Sequence, residues 1–135
     1  MAKKTTNKLN IASKKMNMLF HEKDGIKIAE ITSDEIVVNS TQDALDIMAD
    51  ADYNHARRII IHEKNICSDF FKLASGLAGE ILQKFVNYRV KLAIVGSFEK
   101  YGSKNFKSFL YECNKGNQFF FAVDIEEAKQ KLFVD

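Results

Sequence analysis

Three apolar, β-rich runs separated by stretches long enough to be helices constrain this chain more than any other feature. They are Ile59-Ile60-Ile61, Leu92-Ala93-Ile94-Val95 and Phe119-Phe120-Phe121-Ala122-Val123. Such runs suit strands covered on both faces. Strands joined by a connection of ten or more residues, normally a helix, lie parallel and cross over right-handed. The expected class is therefore α/β with a mostly parallel sheet.

The rest of the chain fits around those runs. Met16, Met18 and Phe20 alternate with the period of a half-buried strand, and Ile26 and Ile28 resume it after Asp24-Gly25. Asp-Gly between two such runs is a hairpin signal, because both turn positions need positive φ. Ile31 falls out of step, which suggests a bulge, and Ile36-Val37-Val38 reads as a further short β run. Ser40-x-x-Asp43 has capping-box spacing ahead of a stripe of Ala44, Leu45, Ile47, Met48 and Ala51. Residues 69–88 read as two helical pieces broken near Ser75-Gly76. Leu77, Ile81, Leu82 and Phe85 form the buried side of the second piece, and Glu80 and Lys84 an i,i+4 pair outside it. A helix bearing Phe106, Phe109, Leu110 and Cys113 should stop at Gly116 in the left-handed position past its end. Asp124-x-x-Glu127 opens a last helix whose Ile125, Ala128 and Leu132 face inward. The expected order is an N-terminal β-hairpin followed by alternating helices and strands. About four helices result, most of them on one face of the sheet.

Charge divides the chain unevenly. Lys3, Lys4, Lys8, Lys14 and Lys15 all fall in the first twenty residues, which hold no acid. The net charge of +2 therefore hides an acidic remainder, fifteen basic side chains against eighteen acidic. Residues 1–14 are read as a flexible, lysine-rich arm and residues 15–135 as a single α/β domain. A basic arm can touch nucleic acid, but no aromatic is interleaved with the lysines to stack on bases, so a solvated tail is the expectation. No apolar stretch approaches the roughly 20 residues of a membrane span. The lysines are not followed by a signal-peptide core, so the expected location is the cytoplasm. Two cysteines, Cys67 and Cys113, and three scattered histidines make neither a disulfide framework nor zinc-ligand spacing. No cofactor or metal is expected.

Several blocks carry a resemblance. Glu63-x-Asn65, Asp69-Phe70-Phe71-x-Leu73, Gly76-Leu77-Ala78-Gly79-Glu80-Ile81-Leu82-Gln83-Lys84-Phe85 and Tyr88-Arg89-Val90-Lys91-Leu92-Ala93-Ile94-Val95-Gly96 resemble the bacterial family called domain of unknown function 4180. Tyr101-x-Ser103-Lys104, Phe109-x-Tyr111-Glu112-x-Asn114-x-Gly116 and the closing strand extend the likeness to about 120 residues. That family brings no established activity or catalytic residue. The order of elements is also similar to that of STAS domains, the fold of anti-sigma factor antagonists, where a serine opening a helix is phosphorylated to switch partner binding. Here Cys67-Ser68-Asp69-Phe70-Phe71 inverts the order of Ser and Asp found there, and Ser75-Gly76-Leu77 follows only after an extra turn, so the chain departs from the signature that carries that switch.

In an open α/β sheet, ligands gather outside the carboxyl ends of the strands. Those ends offer Glu63 and Asn65, then Ser97, Tyr101 and Ser103, then Asp124, with Asp69 opening the intervening helix. Glu63 and Asp69 would suit acid/base work or a hard cation. The plainer account makes Asp69 a cap and Glu63 a solvated strand end. Gly76 and Gly79 lack the spacing of a phosphate cradle, and close helix packing is their expected reason. His62 has no neighbouring nucleophile in sequence and reads as structural. Cys67 reads as half-buried and inert. Glu80, Gln83 and Lys84 suit a wet helix face or a protein partner. One of Phe70 and Phe71 is expected to be exposed, as an interaction patch would begin.

The reading that results is a small non-catalytic regulatory or protein-interaction module of STAS-like type. It would dock the surface around residues 65–84 onto another protein, a second copy of itself included. The alternative is a small-molecule or nucleotide-binding domain, an enzyme included, with Glu63, Asn65, Asp69, Tyr101 and Ser103 as its polar rim.

Overall fold

The computed structural model describes residues 3–11 and 14–134, with side chains from residue 16. One six-stranded sheet runs through it in chain order: β1 (Lys3–Ile11), β2 (Lys14–Lys23), β3 (Ile26–Thr32), β4 (Arg58–His62), β5 (Lys91–Val95) and β6 (Phe119–Ala122). β1, β2 and β3 pair antiparallel, and β3 to β6 pair parallel. The helices are α1 (Thr41–Tyr53), α2 (Leu77–Tyr88), α3 (Lys104–Lys115) and α4 (Ile125–Leu132). The expected α/β class, hairpin and parallel strands are all present.

The hairpin turn between β2 and β3 is the one its sequence specifies: Asp24 and Gly25 have φ of 53° and 81°. α1 starts where Ser40 Oγ accepts from the Asp43 amide at 3.2 Å, while Asp43 reaches back to the amide of Asn39 at 2.8 Å. α4 starts the same way, on Asp124. Residues 63–76 pass through three single 3₁₀ turns before Gly76, at φ 80°, turns the chain into α2. The break expected at Ser75-Gly76 is there.

Both faces of the sheet are covered. Met18, Phe20, Ala29, Ile31, Ile59, Ile61, Leu92 and Ile94 join Ile47 of α1, Ile81 and Phe85 of α2 and Phe106 of α3 in the larger core. Ile28, Ile60, Ala93 and Phe120 point the other way, against Ala128 and Leu132 of α4. Among the described residues no helix is long and apolar enough to cross a membrane.

Four expectations need correction. Composition suggested an arm over residues 1–14, but Lys3–Ile11 forms a strand, with Leu9 opposite Met16 and Asn7 opposite Met18. The backbone edge of β2 supplies a ladder that charge counting does not register. There is no bulge at Ile31, which pairs Met18 in unbroken register. Ile28 and Ile31 point to opposite faces and both are buried, so neither is out of step. Ile36-Val37-Val38 makes only a bridge from Val38 to Ile66, because Val37 and Val38 both donate to the single carbonyl of Asn65. Gly116 ends α3 in an extended conformation (φ −83°, ψ −163°), not a left-handed one.

Candidate functional site

The carboxyl ends of β4 and β5 bring Glu63 and Tyr101 together. One oxygen of Glu63 accepts from the Ser97 amide at 3.1 Å; the other accepts from the Tyr101 hydroxyl and pairs with Lys100 Nζ at 2.8 Å. The Glu63 side chain is only 11% exposed. Burial pushes its carboxyl up, but the bonds from Lys100, Tyr101 and Ser97 outweigh burial and hold it below the usual range. Burial and the same carboxylate raise the Tyr101 hydroxyl well above its ordinary value. Tyr101 stacks on Phe71, with centroids 4.8 Å apart and planes 14° apart. Gly96 makes room for this: a Cβ there would lie 2.5 Å from both Cβ and Oε1 of Glu63. Together these groups form a latch that fastens the β5–α3 loop to the end of β4. Glu63 is thus not the solvated strand end of the plainer account.

The other strand-end candidates do other things. Asn65 is 0% exposed; its amide donates to the carbonyls of Ser33 and Glu35, both at 2.8 Å, and clamps the segment leaving β3. Its Oδ1 is buried and unpartnered. Asp69 lies on the surface 3.8 Å from Lys72 and provides no cap for its 3₁₀ turn. Ser103 caps α3 by accepting from the Phe106 amide at 3.1 Å. None of the described clefts is lined by Glu63, Asn65, Tyr101 or Ser103. Among the described residues no group of three or more His, Cys, Asp or Glu could hold a metal ion.

A second polar cluster escaped the sequence. Glu30 of β3 accepts from His21 of β2 at 2.8 Å and from His62 of β4 at 2.9 Å. Their side chains are 8%, 2% and 22% exposed. By strand parity all three lie on the sheet face that carries α4, since Ile28 and Ile60 alternate with them there. Burial raises the Glu30 carboxyl, but hydrogen bonds and charge from His21 and His62 bring it down to about 2. With Nε2–H of His21 donating, its Nδ1 is left buried without a partner. A carboxylate orienting an imidazole is the geometry of a proton relay. The ring nitrogen of His62 that faces the cluster is occupied by Glu30. The available signal was Glu30 standing in the same phase of β3 as Ile26 and Ile28.

On α2, Glu80 accepts from Thr41 Oγ1 of α1 at 3.1 Å, and Gln83 donates to Asn87 at 2.9 Å. No ion pair joins Glu80 to half-buried Lys84 among the described residues. Phe70 and Phe71 are both buried, in a T-shaped pair at 5.1 Å, which corrects the expectation that one is exposed. A 3₁₀ turn sets successive side chains about 120° apart, so neither ring is sent to the opposite side. The glycines are not there for close packing either. Gly76 holds a positive φ, and a Cβ on Gly79 would meet nothing within 4 Å. Gly79 instead borders a groove of about 480 Å³ between α2 and α3, walled by Leu82, Val86, Phe109, Cys113 and Phe119. Burial, with Glu112 nearby, raises the Cys113 thiol to about 11, so it lines the groove as a neutral, apolar group. Cys67 is half-buried, as expected.

A family model described as "Domain of unknown function (DUF4180)" matches residues 23–132. No curated protein and no solved structure matches the chain.

Proposed function

The chain belongs to the DUF4180 family, and from that premise we propose that it is a non-catalytic, STAS-like protein-interaction module that docks a partner protein on the outer face of α2. One observation carries the reading: Gly79, Gln83 and Val86 face outward beside an open apolar groove, while Glu63 is held by Ser97, Tyr101 and Lys100 and Asn65 by backbone carbonyls. Glu63 has three partners and Asn65 is sealed inside, so neither offers a substrate a free hydrogen-bonding edge. A partner side chain entering above Gly79 would reach Leu82, Phe109 and Phe119 without displacing any side chain from that position.

Gln83 provides the test. A photo-crosslinking residue at position 83 is expected to give one discrete adduct, suppressed by Val86→Lys, and the same residue at Glu126 on the α4 face to give none. Equal adducts from both positions, or an adduct indifferent to Val86→Lys, would remove the reading.

A second reading, a small-molecule site, has one supporting observation, and it lies at the opposite end of the strands. A cleft of about 410 Å³ between α1 and the start of β5 is lined by Leu45, Met48, Ala49, Tyr88 and Val90, with Asp46, Asp52 and Arg57 at hand. Such a mixture of apolar wall and a few charged groups is typical of ligand sites. Filling it with Ala49→Trp should abolish any thermal shift produced by a bound small molecule, and a shift that survives would place the ligand elsewhere.

A further inference from the structure

We propose that the occupant of the α2–α3 groove is α2 of a second copy of this chain, the two helices running antiparallel about a twofold axis beside Gln83. This rests on the docking reading above and gives it a partner.

Helices penalise glycine, and no close neighbour explains Gly79, the third residue of α2, since a Cβ there would meet nothing within 4 Å. The result is a hole in the outer surface of α2, floored by the groove. Seven residues on, two helical turns and about 10 Å along the same face, stands Val86, a branched apolar side chain that is 43% exposed. A hole and a knob on one helix face, symmetric about a point between Leu82 and Gln83, form a self-complementary pair. In an antiparallel arrangement each Val86 lies over the Gly79 of the other copy, as an isologous interface requires.

Charge points the same way. The first turn of α2 carries Glu80, and the basic groups follow it: Lys84, then Arg89 at the C-cap. An antiparallel pair brings the acidic half of each helix to the basic half of the other and opposes the two helix dipoles. A parallel pair would set like against like. Gln83, exposed near the axis, is an amide able to donate and accept across it.

Sedimentation velocity of the full chain from 1 to 100 µM tests this. The expected result is a dimer that Gly79→Met and Val86→Lys each weaken at least tenfold without lowering the melting temperature of the dissociated chain. Methionine favours helix, so Gly79→Met fills the hole without unfolding α2. Glu80→Lys and Lys84→Glu should each weaken the dimer, and the double exchange should restore it. A dimer indifferent to Gly79→Met overturns the proposal. So does a wild type that stays monomeric at 100 µM. If that monomer still crosslinks from position 83 to a different protein, the second copy is wrong and the docking surface stands; if it crosslinks to nothing, both fall.

Discussion

At the scale of single residues, Gly96 and Glu30 decide the most. An alanine at 96 would drive its methyl into Glu63 at 2.5 Å, so either the carboxylate leaves Ser97 and Tyr101 or the end of β5 shifts. Gly96→Ala should therefore cost about 1–3 kcal/mol, whereas Gly102→Ala, with nothing within 4 Å, should be close to neutral. Urea unfolding of the two variants checks this, and equal midpoints would show that the latch contributes nothing. Glu30 predicts a pH dependence. Its folded value of about 2 lies below the ordinary 4.5, so its contribution is fully present above pH 4.5 and is lost as pH falls toward 2. The loss across that window should be roughly 3 kcal/mol. Glu30→Gln should be less stable than wild type at pH 6 and should lose less of its stability between pH 4.5 and 2.5, read from urea midpoints across that range. Glu63 was legible in the sequence because strand ends collect polar groups. Glu30 and His21 were not, since period-2 alternation assigns a face without saying whether anything covers it.

At the scale of elements, the helix starts were legible and the ends less so. Ser40 and Asp124 cap as their spacing implies, because an N-cap is a local contact between a side chain and an amide two or three residues on. A C-terminus depends on where the chain goes next. Gly116 leaves α3 extended because β6 begins three residues later. The same limit hid Ile36–Val38, whose partner Asn65 is nearly thirty residues away. The two glycines around the start of α2 make opposite predictions. Gly76 sits at φ 80°, so Gly76→Ala should destabilise by about 1–2 kcal/mol. Gly79 is an ordinary helical position, so Gly79→Ala should stabilise by about 0.5–1 kcal/mol. Measuring both in a Val86→Lys background keeps self-association out of the comparison. Effects of the same sign would contradict the backbone assignment at one of the two sites.

At the scale of the molecule, every strand neighbours its successor in sequence, so stability should grade from the middle of the sheet outward. β4 and β5 have strands on both sides and are covered by α1–α3 on one face; α4 lies against β5 and β6 on the other. The two edges end differently. On β6, the Phe121 amide is occupied by Asn114 Oδ1 at 2.8 Å, which blunts that edge. β1 closes the other edge with a lysine-rich strand, a composition that discourages pairing with further chains. Most of the β1–β2 hairpin also precedes residue 23, where the family match begins. The family match thus covers the fold from β3 onward, while β2 lends Met18 and Phe20 to the main core and β1 lies outside that match. Amide hydrogen exchange should follow that division. Amides of Ile59–Ile61 and Leu92–Ile94 should exchange slowest, near the rate set by global unfolding, and those of Lys3–Ile11 fastest among the strands. A β1 protected as strongly as β4 would mean that the hairpin belongs to the same cooperative unit, and that the lysine-rich start is as much a part of the fold as the apolar strands at its centre.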